Sequence, residues 1–227
     1  MRDAASAQAI ACLEKLSSEQ RLLTLSIVWV ARARHAEYNV FSRGCHSVIV
    51  EERAVTQTNL TDLIRNIPDF PIPGIQFKDI TTLLADGPAF HQVVDLLAAR
   101  YEGQPIDAVV GIESRGFMFS APLAYRLGVG LVPVRKHGKL PAPTYRVEYA
   151  LEYGSNKLEI HRDAFQPGAR VVIVDDLLAT GGTVAAACQL VEMAGGVVQE
   201  VAFLIELAFL NGREKLGQYP IYSMVQY

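Results

Sequence analysis

The sequence predicts an α/β fold, a mostly parallel central sheet flanked by helices. Short, continuously apolar runs recur at strand length, as in Ala108-Val-Val-Gly-Ile112 and Val171-Val-Ile-Val174. Strands covered on both faces read this way. Between these runs, apolar residues return at helical spacing. The chain has 227 residues, half of them hydrophobic, enough for one full core with a possible appendage.

Near residue 57 the character of the chain changes. Residues 1–57 lack the strand–helix rhythm that residues 58–227 keep. In order, the second stretch predicts a short helix at Leu60–Asn66 and a Pro- and Gly-rich connection, Ile67-Pro-Asp-Phe-Pro-Ile-Pro-Gly74. Pro88–Tyr101 carries an apolar stripe at positions 90, 93, 94, 97 and 101, with Pro88 suited to a first helical turn. A strand at Ala108–Ile112 is followed by a helix over Phe117–Leu127, stopped by Gly128. Further strands are expected at Leu131–Val134, Arg170–Val174 and Val198–Glu206, with a helix at Val184–Ala194 ended by Gly195-Gly196. The stretches 207–217 and 221–225 are read as structural. Lys136–Arg162 breaks the rhythm, and a long excursion inside a compact domain is usually functional, here a lid.

Composition excludes several classes. A net charge of −3 and a pI near 6.0 argue against a general binder of nucleic acids or membrane surfaces. Cys12, Cys45 and Cys188 show neither metal-ligand spacing nor a disulfide framework, and read as reduced thiols. The apolar run Leu22–Ala31 is shorter than the roughly 20 residues of a membrane span. Its length suits a signal-peptide core, but Asp3, Glu14 and Glu19 precede it without a clean basic region. It reads instead as a short amphipathic or buried segment, and the chain as soluble and cytoplasmic.

The strongest chemical signal lies where strand Val171–Val174 ends at Asp175-Asp176 and Ala179-Thr-Gly-Gly-Thr183 leads into a helix. Ligands of open α/β sheets bind at the carboxyl ends of strands, which is where both carboxylates emerge. Free N–H groups at a helix start, with the positive end of its dipole, suit a phosphate dianion. Gly181 and Gly182 permit close backbone approach, and Thr180 and Thr183 supply hydroxyl donors. Each piece alone fits a plain helix cap beside solvated charges; the combination does not. No lysine follows the glycines, so this is no Walker loop, and adjacent glycines preceded by acids make no dinucleotide fingerprint. The acids belong beside neutral hydroxyls, which a ribose supplies.

As a whole, Val171–Thr183 resembles the phosphoribosyl-diphosphate signature of type I phosphoribosyltransferases. The resemblance implies that family's fold, with a small hood at about residues 58–82 and a long flexible catalytic loop at about 136–160. It also implies that Asp175 and Asp176 bind the ribose, while Ala179, Thr180, Gly181, Gly182 and Thr183 hold the 5-phosphate.

From roughly Leu60 to the C-terminus, other segments are similar to the adenine-specific members of the family. Ile67–Thr81 resembles their hood, which implies that Phe77 packs on the purine while backbone groups at Gln76 and Lys78 read its edge. Gly111-Ile-Glu-Ser-Arg-Gly-Phe117 looks like their pyrophosphate loop, which implies a cis peptide at Glu113–Ser114 and a place for Arg115 near the phosphates. Arg135-Lys-His-Gly-Lys139 concentrates cations at another strand end, which suits a diphosphate with its Mg²⁺. Glu113, Ser114, Arg115, Arg135, Lys136 and Lys139 are thus the expected diphosphate contacts. Leu151-Glu-Tyr-Gly154 resembles the catalytic loop, which implies that Glu152 faces the purine N7 and Tyr153 helps close the site. When N9 of adenine attacks the anomeric carbon, the ring gains positive character, which a positioned carboxylate stabilises. His137 and His161 show no partner in the sequence and are read as non-catalytic.

The implied reaction is Mg²⁺-dependent transfer of ribose 5-phosphate from 5-phosphoribosyl 1-diphosphate to adenine, giving AMP and diphosphate, in purine salvage. The resemblance further implies a homodimer, and a metal carried by the substrate's diphosphate rather than by a direct protein ligand. A hypoxanthine- or xanthine-type transferase is disfavoured because the hood precedes the sheet and presents Phe77. A regulator that binds without turnover is disfavoured by Glu152 and the intact 135–139 cluster.

Residues 1–57 have no counterpart in the resemblance and form an N-terminal extension of open role. One reading is a DNA-binding module, although seven Lys/Arg against six Asp/Glu lack the usual basic bias. The other is translation from an upstream start. Between Met1 and Met118 no methionine occurs, so an internal start near Val55 requires a non-standard codon.

Overall fold

The computed structural model of the chain describes residues 38–42, 48–52, 59–150 and 155–227. Leu22–Ala31, Cys12 and Cys45 lie outside them. The chain divides into two compact units, Met1–Gln57 and Thr58–Tyr227. In the first, β1 (Tyr38–Ser42) and β2 (Val48–Glu52) pair antiparallel, with Val40 opposite Val50.

The second unit opens with a 3₁₀ turn, Leu60–Leu63, capped by Asn59, whose side chain accepts from the Thr61 N–H. The helix expected over Leu60–Asn66 therefore ends early. Arg65–Ile67 instead forms β3, paired antiparallel with β4 (Phe77–Asp79), because pairing satisfies a backbone that so short a helix leaves open. A short helix that the sequence pattern did not reveal, α1 (Thr81–Ala85), follows. Then comes α2 (Gly87–Tyr101), with Asp86 accepting from the Ala89 N–H and Pro88 in the first turn. Its expected stripe is buried at Val93, Val94, Leu97 and Tyr101.

The main sheet is built from β5 (Ala108–Ile112), β6 (Gly130–Lys136), β7 (Thr144–Ala150), β8 (Ser155–His161), β9 (Arg170–Leu178), β10 (Val197–Glu206) and β11 (Ile221–Gln226). Its order is β11-β10-β9-β5-β6-β8-β7. The five strands from β11 to β6 are parallel, and β8 and β7 join antiparallel at one edge. Right-sized crossovers are supplied by α3 (Gly116–Leu127) between β5 and β6, and by α4 (Gly182–Met193) between β9 and β10. Gly128 ends α3 in the left-handed conformation, φ 69°.

The apolar strands explain the layering. Along β9, Val172 and Val174 pack into one cluster with Leu97, Tyr101, Phe119 and Leu123 from α2 and α3. Val171 and Ile173 point to the opposite face, into a second cluster with Val184, Ala187, Leu190 and Val191 of α4. Side chains alternate across a strand, so continuous hydrophobicity means burial on both faces. The excursion at 136–162 is largely a β-hairpin, β7–β8, which adds strands to the sheet edge. Tyr145, Val147 and Tyr149 pack its inner face against the α4 cluster. No described helix is long and apolar enough to cross a membrane.

Candidate active site

Neighbouring parallel strands β9, β5 and β6 end at one edge of the sheet, and each delivers a loop there. β9 runs four residues beyond its expected end at Val174. On its β10 side, pairing continues to Leu178↔Glu206; on its β5 side, it stops at Val174↔Gly111. Asp175 and Asp176 thus stand on a strand held from one side, where the sheet opens. They are within the strand rather than past it, a correction that follows from the continued ladder with β10.

Asp176 is buried and pairs with Arg115, Nε to Oδ2 at 2.9 Å. Its own N–H donates to Asp175 Oδ1 at 2.9 Å. Burial pushes the Asp175 carboxyl well above the ordinary aspartate range, and the charge of Asp176 pushes it further. Asp176 is also raised by burial, with Arg115 offsetting part of the effect. Two adjacent carboxylates, one buried and both raised, make this edge a candidate site. α3 begins against them. A Cβ at Gly116 would lie 2.7 Å from the Val174 carbonyl oxygen and 2.9 Å from Asp175 Oδ1, so only glycine fits.

The loop at 179–181 follows, with Gly181 left-handed at φ 79° and the first helical bond running from Ala185 N–H to the Gly181 carbonyl at 2.9 Å. The amides before that bond have no acceptor within the helix, an arrangement that suits an anion. Thr183 Oγ1 donates to Tyr149 Oη at 3.3 Å, tying the hairpin to this loop. Sequence reasoning missed Tyr149. Its signal was the period-two run Tyr145, Val147, Tyr149, which places all three on one face.

After β5, the Glu113–Ser114 peptide is cis. Glu113 does not present a free carboxylate to the site. It accepts from Arg135 Nε (3.2 Å), Arg135 Nη2 (3.3 Å) and the Lys136 N–H (3.1 Å). Burial alone would raise its carboxyl, but these bonds outweigh burial and hold it low. Arg135 Nη1 also donates to the Lys139 carbonyl at 3.0 Å, closing the turn, while Lys136 and Lys139 remain exposed.

Behind that turn lies buried Glu159 of β8, a residue absent from the sequence-based expectations. It accepts from the Gly138 N–H (2.9 Å) and Arg146 Nε (2.8 Å), and its Oε1 lies 2.7 Å from His137 Nδ1. Burial would raise the Glu159 carboxyl, yet the bonds from His137, Gly138 and Arg146 hold it at about 2. His137 therefore has a partner after all. The sequence hid it because the two stand 22 positions apart and meet only through the β6–β8 pairing. His161 has a buried Nε2 without a hydrogen-bond partner.

Beneath the hood lies a cavity of ≈ 370 Å³ whose walls include Ile67, Phe70, Phe77, Leu84, Arg115 and Met118. Phe70 meets Phe77 edge-on, ring centroids 5.1 Å apart, and the Arg115 guanidinium lies 5.5 Å from the Phe77 ring centre. Arg115 thus spans from the apolar cavity to Asp176. Gln76 is exposed and donates nothing inward; its Oε1 accepts from Asn66 Nδ2 at 2.7 Å. Lys78 stacks on the Tyr227 ring at 3.6 Å. Glu152 and Tyr153 lie outside the described residues, between β7 and β8. A divalent cation arriving on a diphosphate would find hard oxygens at this edge in Asp175 and Asp176, without a direct protein ligand being required. Among the described residues no group of three or more His, Cys, Asp or Glu side chains forms a metal cage.

The chain resembles known proteins over most of its length. Residues 81–218 match the model of the phosphoribosyl transferase domain. An adenine phosphoribosyltransferase of Roseiflexus sp. (strain RS-1) is 76% identical over 170 residues, 75% of this chain and 99% of that protein. Among solved structures, adenine phosphoribosyltransferase from Thermoanaerobacter pseudethanolicus is 57% identical at a TM-score of 0.72, over 74% of this chain and 98% of that one. The enzyme from Saccharomyces cerevisiae, solved with an imino-altritol bisphosphate and adenine, is 42% identical at a TM-score of 0.69, over 73% and 96%. With the domain model matched over residues 81–218 and relatives matched over nearly their whole length, the chain belongs to the phosphoribosyltransferase family, among its adenine phosphoribosyltransferases.

Proposed function

We propose that the chain transfers ribose 5-phosphate from 5-phosphoribosyl 1-diphosphate to adenine, releasing AMP and diphosphate in purine salvage. One observation carries this reading: a paired acid, an anion-binding helix start and a cation turn converge on one sheet edge beside an apolar cavity. Asp175 and Asp176 accept hydrogen bonds from the ribose hydroxyls. The loop at 179–183 takes the 5-phosphate on its amides and hydroxyls. Arg135, Lys136 and Lys139 face the diphosphate together with Ser114 and Arg115, and Glu113 orients Arg135 for that task. The purine enters the cavity against Phe77, with backbone groups at Gln76 and Lys78 along its edge. Glu152 stabilises the positive charge that grows on the ring as N9 attacks, and takes or relays the proton. Tyr153 helps exclude water, which would otherwise hydrolyse the activated sugar.

Mg²⁺ bound with the diphosphate supplies charge neutralisation of the leaving group. The same reading makes the protein a cytoplasmic homodimer; sedimentation at micromolar concentration and fractionation of native cells check those two points. Residues 1–57 are proposed to be dispensable for the chemistry, since every group named here belongs to Thr58–Tyr227.

Incubation with 5-phosphoribosyl 1-diphosphate, Mg²⁺ and each purine in turn tests the reaction. Diphosphate release is expected with adenine and not with hypoxanthine or xanthine. Tight binding of the sugar diphosphate without release for any purine would replace this reading with that of a regulator.

A further inference from the structure

The C-terminal turn around Gly212 lies directly behind the loop at 179–181. A Cβ at Gly212 would come inside 3.0 Å of the Ala179 carbonyl oxygen and within 2.9 Å of Leu178 Cδ1. From the other side, a Cβ at Gly181 would come inside 3.0 Å of the Gly212 carbonyl oxygen. Two backbones therefore touch at both ends of the loop. Gly212 is not in the left-handed region, so an alanine there is conformationally allowed and the restriction is purely one of space.

The turn behind the loop has no room to recede. Asn211 enters it in the left-handed conformation, φ 52°, ψ 33°. Next to Gly212, Arg213 forks onto Glu206, Nε to Oε1 and Nη2 to Oε2, both at 2.6 Å. Glu206 is buried at the end of β10 and also accepts from Ser223 Oγ (2.7 Å) and Gln226 Nε2 (3.2 Å). Leu216 is fully buried among the α4 residues, and the Leu207 N–H donates to the Leu178 carbonyl at 2.9 Å. A methyl added at 212 thus displaces the less anchored partner, the loop, toward the ligand side.

We infer that Gly212, held by the Arg213–Glu206 fork, is a positioning residue that sets the shape of the phosphate loop. The inference rests on the reading of residues 179–183 as the 5-phosphate holder. It assigns a role to a segment that touches no substrate: the backbone of Gly212 is the wall against which the loop's amides are aligned.

The test compares G212A, G217A and T183V in the full chain, measuring KM for 5-phosphoribosyl 1-diphosphate, KM for adenine and melting temperature. Gly217 lies in the same turn, and a Cβ there meets only the Glu214 carbonyl at an ordinary 3.7 Å. G212A is expected to raise KM for the sugar diphosphate about tenfold, the range of a misaligned binding group, while KM for adenine stays within about twofold. G217A is expected to match the parent in all three. A G212A protein whose melting temperature falls with unchanged KM values, or whose KM values rise equally, overturns the inference. T183V separates the two readings: if it leaves sugar-diphosphate binding intact, the phosphate assignment of the loop itself fails. Should G212A not fold, R213K serves, since lysine keeps the charge and loses the fork. A raised KM for the sugar diphosphate alone supports the positioning role, and no change overturns it.

Discussion

Burial raises the pKa of both Asp175 and Asp176, and the charge of Asp176 raises Asp175 further, so their charged forms oppose folding. A carboxyl raised in the fold costs stability at neutral pH, and the cost fades as pH falls through the raised value. D175N is accordingly expected to be more stable than the parent by about 1 kcal/mol at pH 7. Thermal denaturation across pH should show the two proteins converging on acidification, while calorimetry shows the variant losing its affinity for 5-phosphoribosyl 1-diphosphate. A less stable D175N would contradict the electrostatic account. At Glu152 the expectation concerns chemistry rather than binding: E152Q lowers kcat far more than it weakens sugar-diphosphate binding, and equal losses in steady-state kinetics would remove the assigned role. Asp175, Asp176 and the loop at 179–183 could be proposed as a site from the sequence because each sits beside the others in the chain. Glu159 and Tyr149 were not, because their partners His137 and Thr183 lie far away and meet them only through strand pairing and packing.

Among the elements, the β7–β8 hairpin differs most from what the sequence suggested. Its polar composition read as a lid, yet its stem is an edge of the sheet, pinned to the cation turn by Glu159. The Glu159 carboxyl, held at about 2, stands well below an ordinary glutamate at 4.5. A depressed carboxyl contributes stability that is complete above the unfolded value and lost as pH falls toward the folded one. Replacing Glu159 with glutamine should therefore lower the melting temperature at pH 7, with the difference from the parent shrinking between about 4.5 and 2. α3 provides a plainer case. Leu123 is wholly buried between α2 and the sheet, so L123A should cost about 2–5 kcal/mol in urea denaturation, the range for an incompletely collapsed core site. Helices α2 and α3 were readable in outline, since their buried faces repeat at helical spacing. Arg65 and Asn66 were misread as helical because so short a stretch carries too little periodicity to reveal a strand pair whose partner is ten or more positions on.

For the whole molecule, the parallel sheet governs what the parts can do. Because β9, β5 and β6 run the same way, their carboxyl ends bring together acids, the amides of a helix start and cations from three separate stretches of chain. A chain beginning at Thr58 is expected to keep the melting temperature and adenine-dependent turnover of the full protein, since the site lies within that unit. Loss of turnover on truncation would give residues 1–57 a part in the site. By itself the sequence determined the layers, through strands apolar on both faces, and the strand–loop–helix turn at 171–183, through contiguous residues with local geometry. Only the tertiary structure decided that Glu113 orients Arg135, that Glu159 holds the cation turn, that Arg115 spans from Phe77 to Asp176, and that Gly212 backs the loop. Those relations depend on strand order and on which backbones touch, and a one-dimensional pattern of hydrophobicity and charge encodes neither.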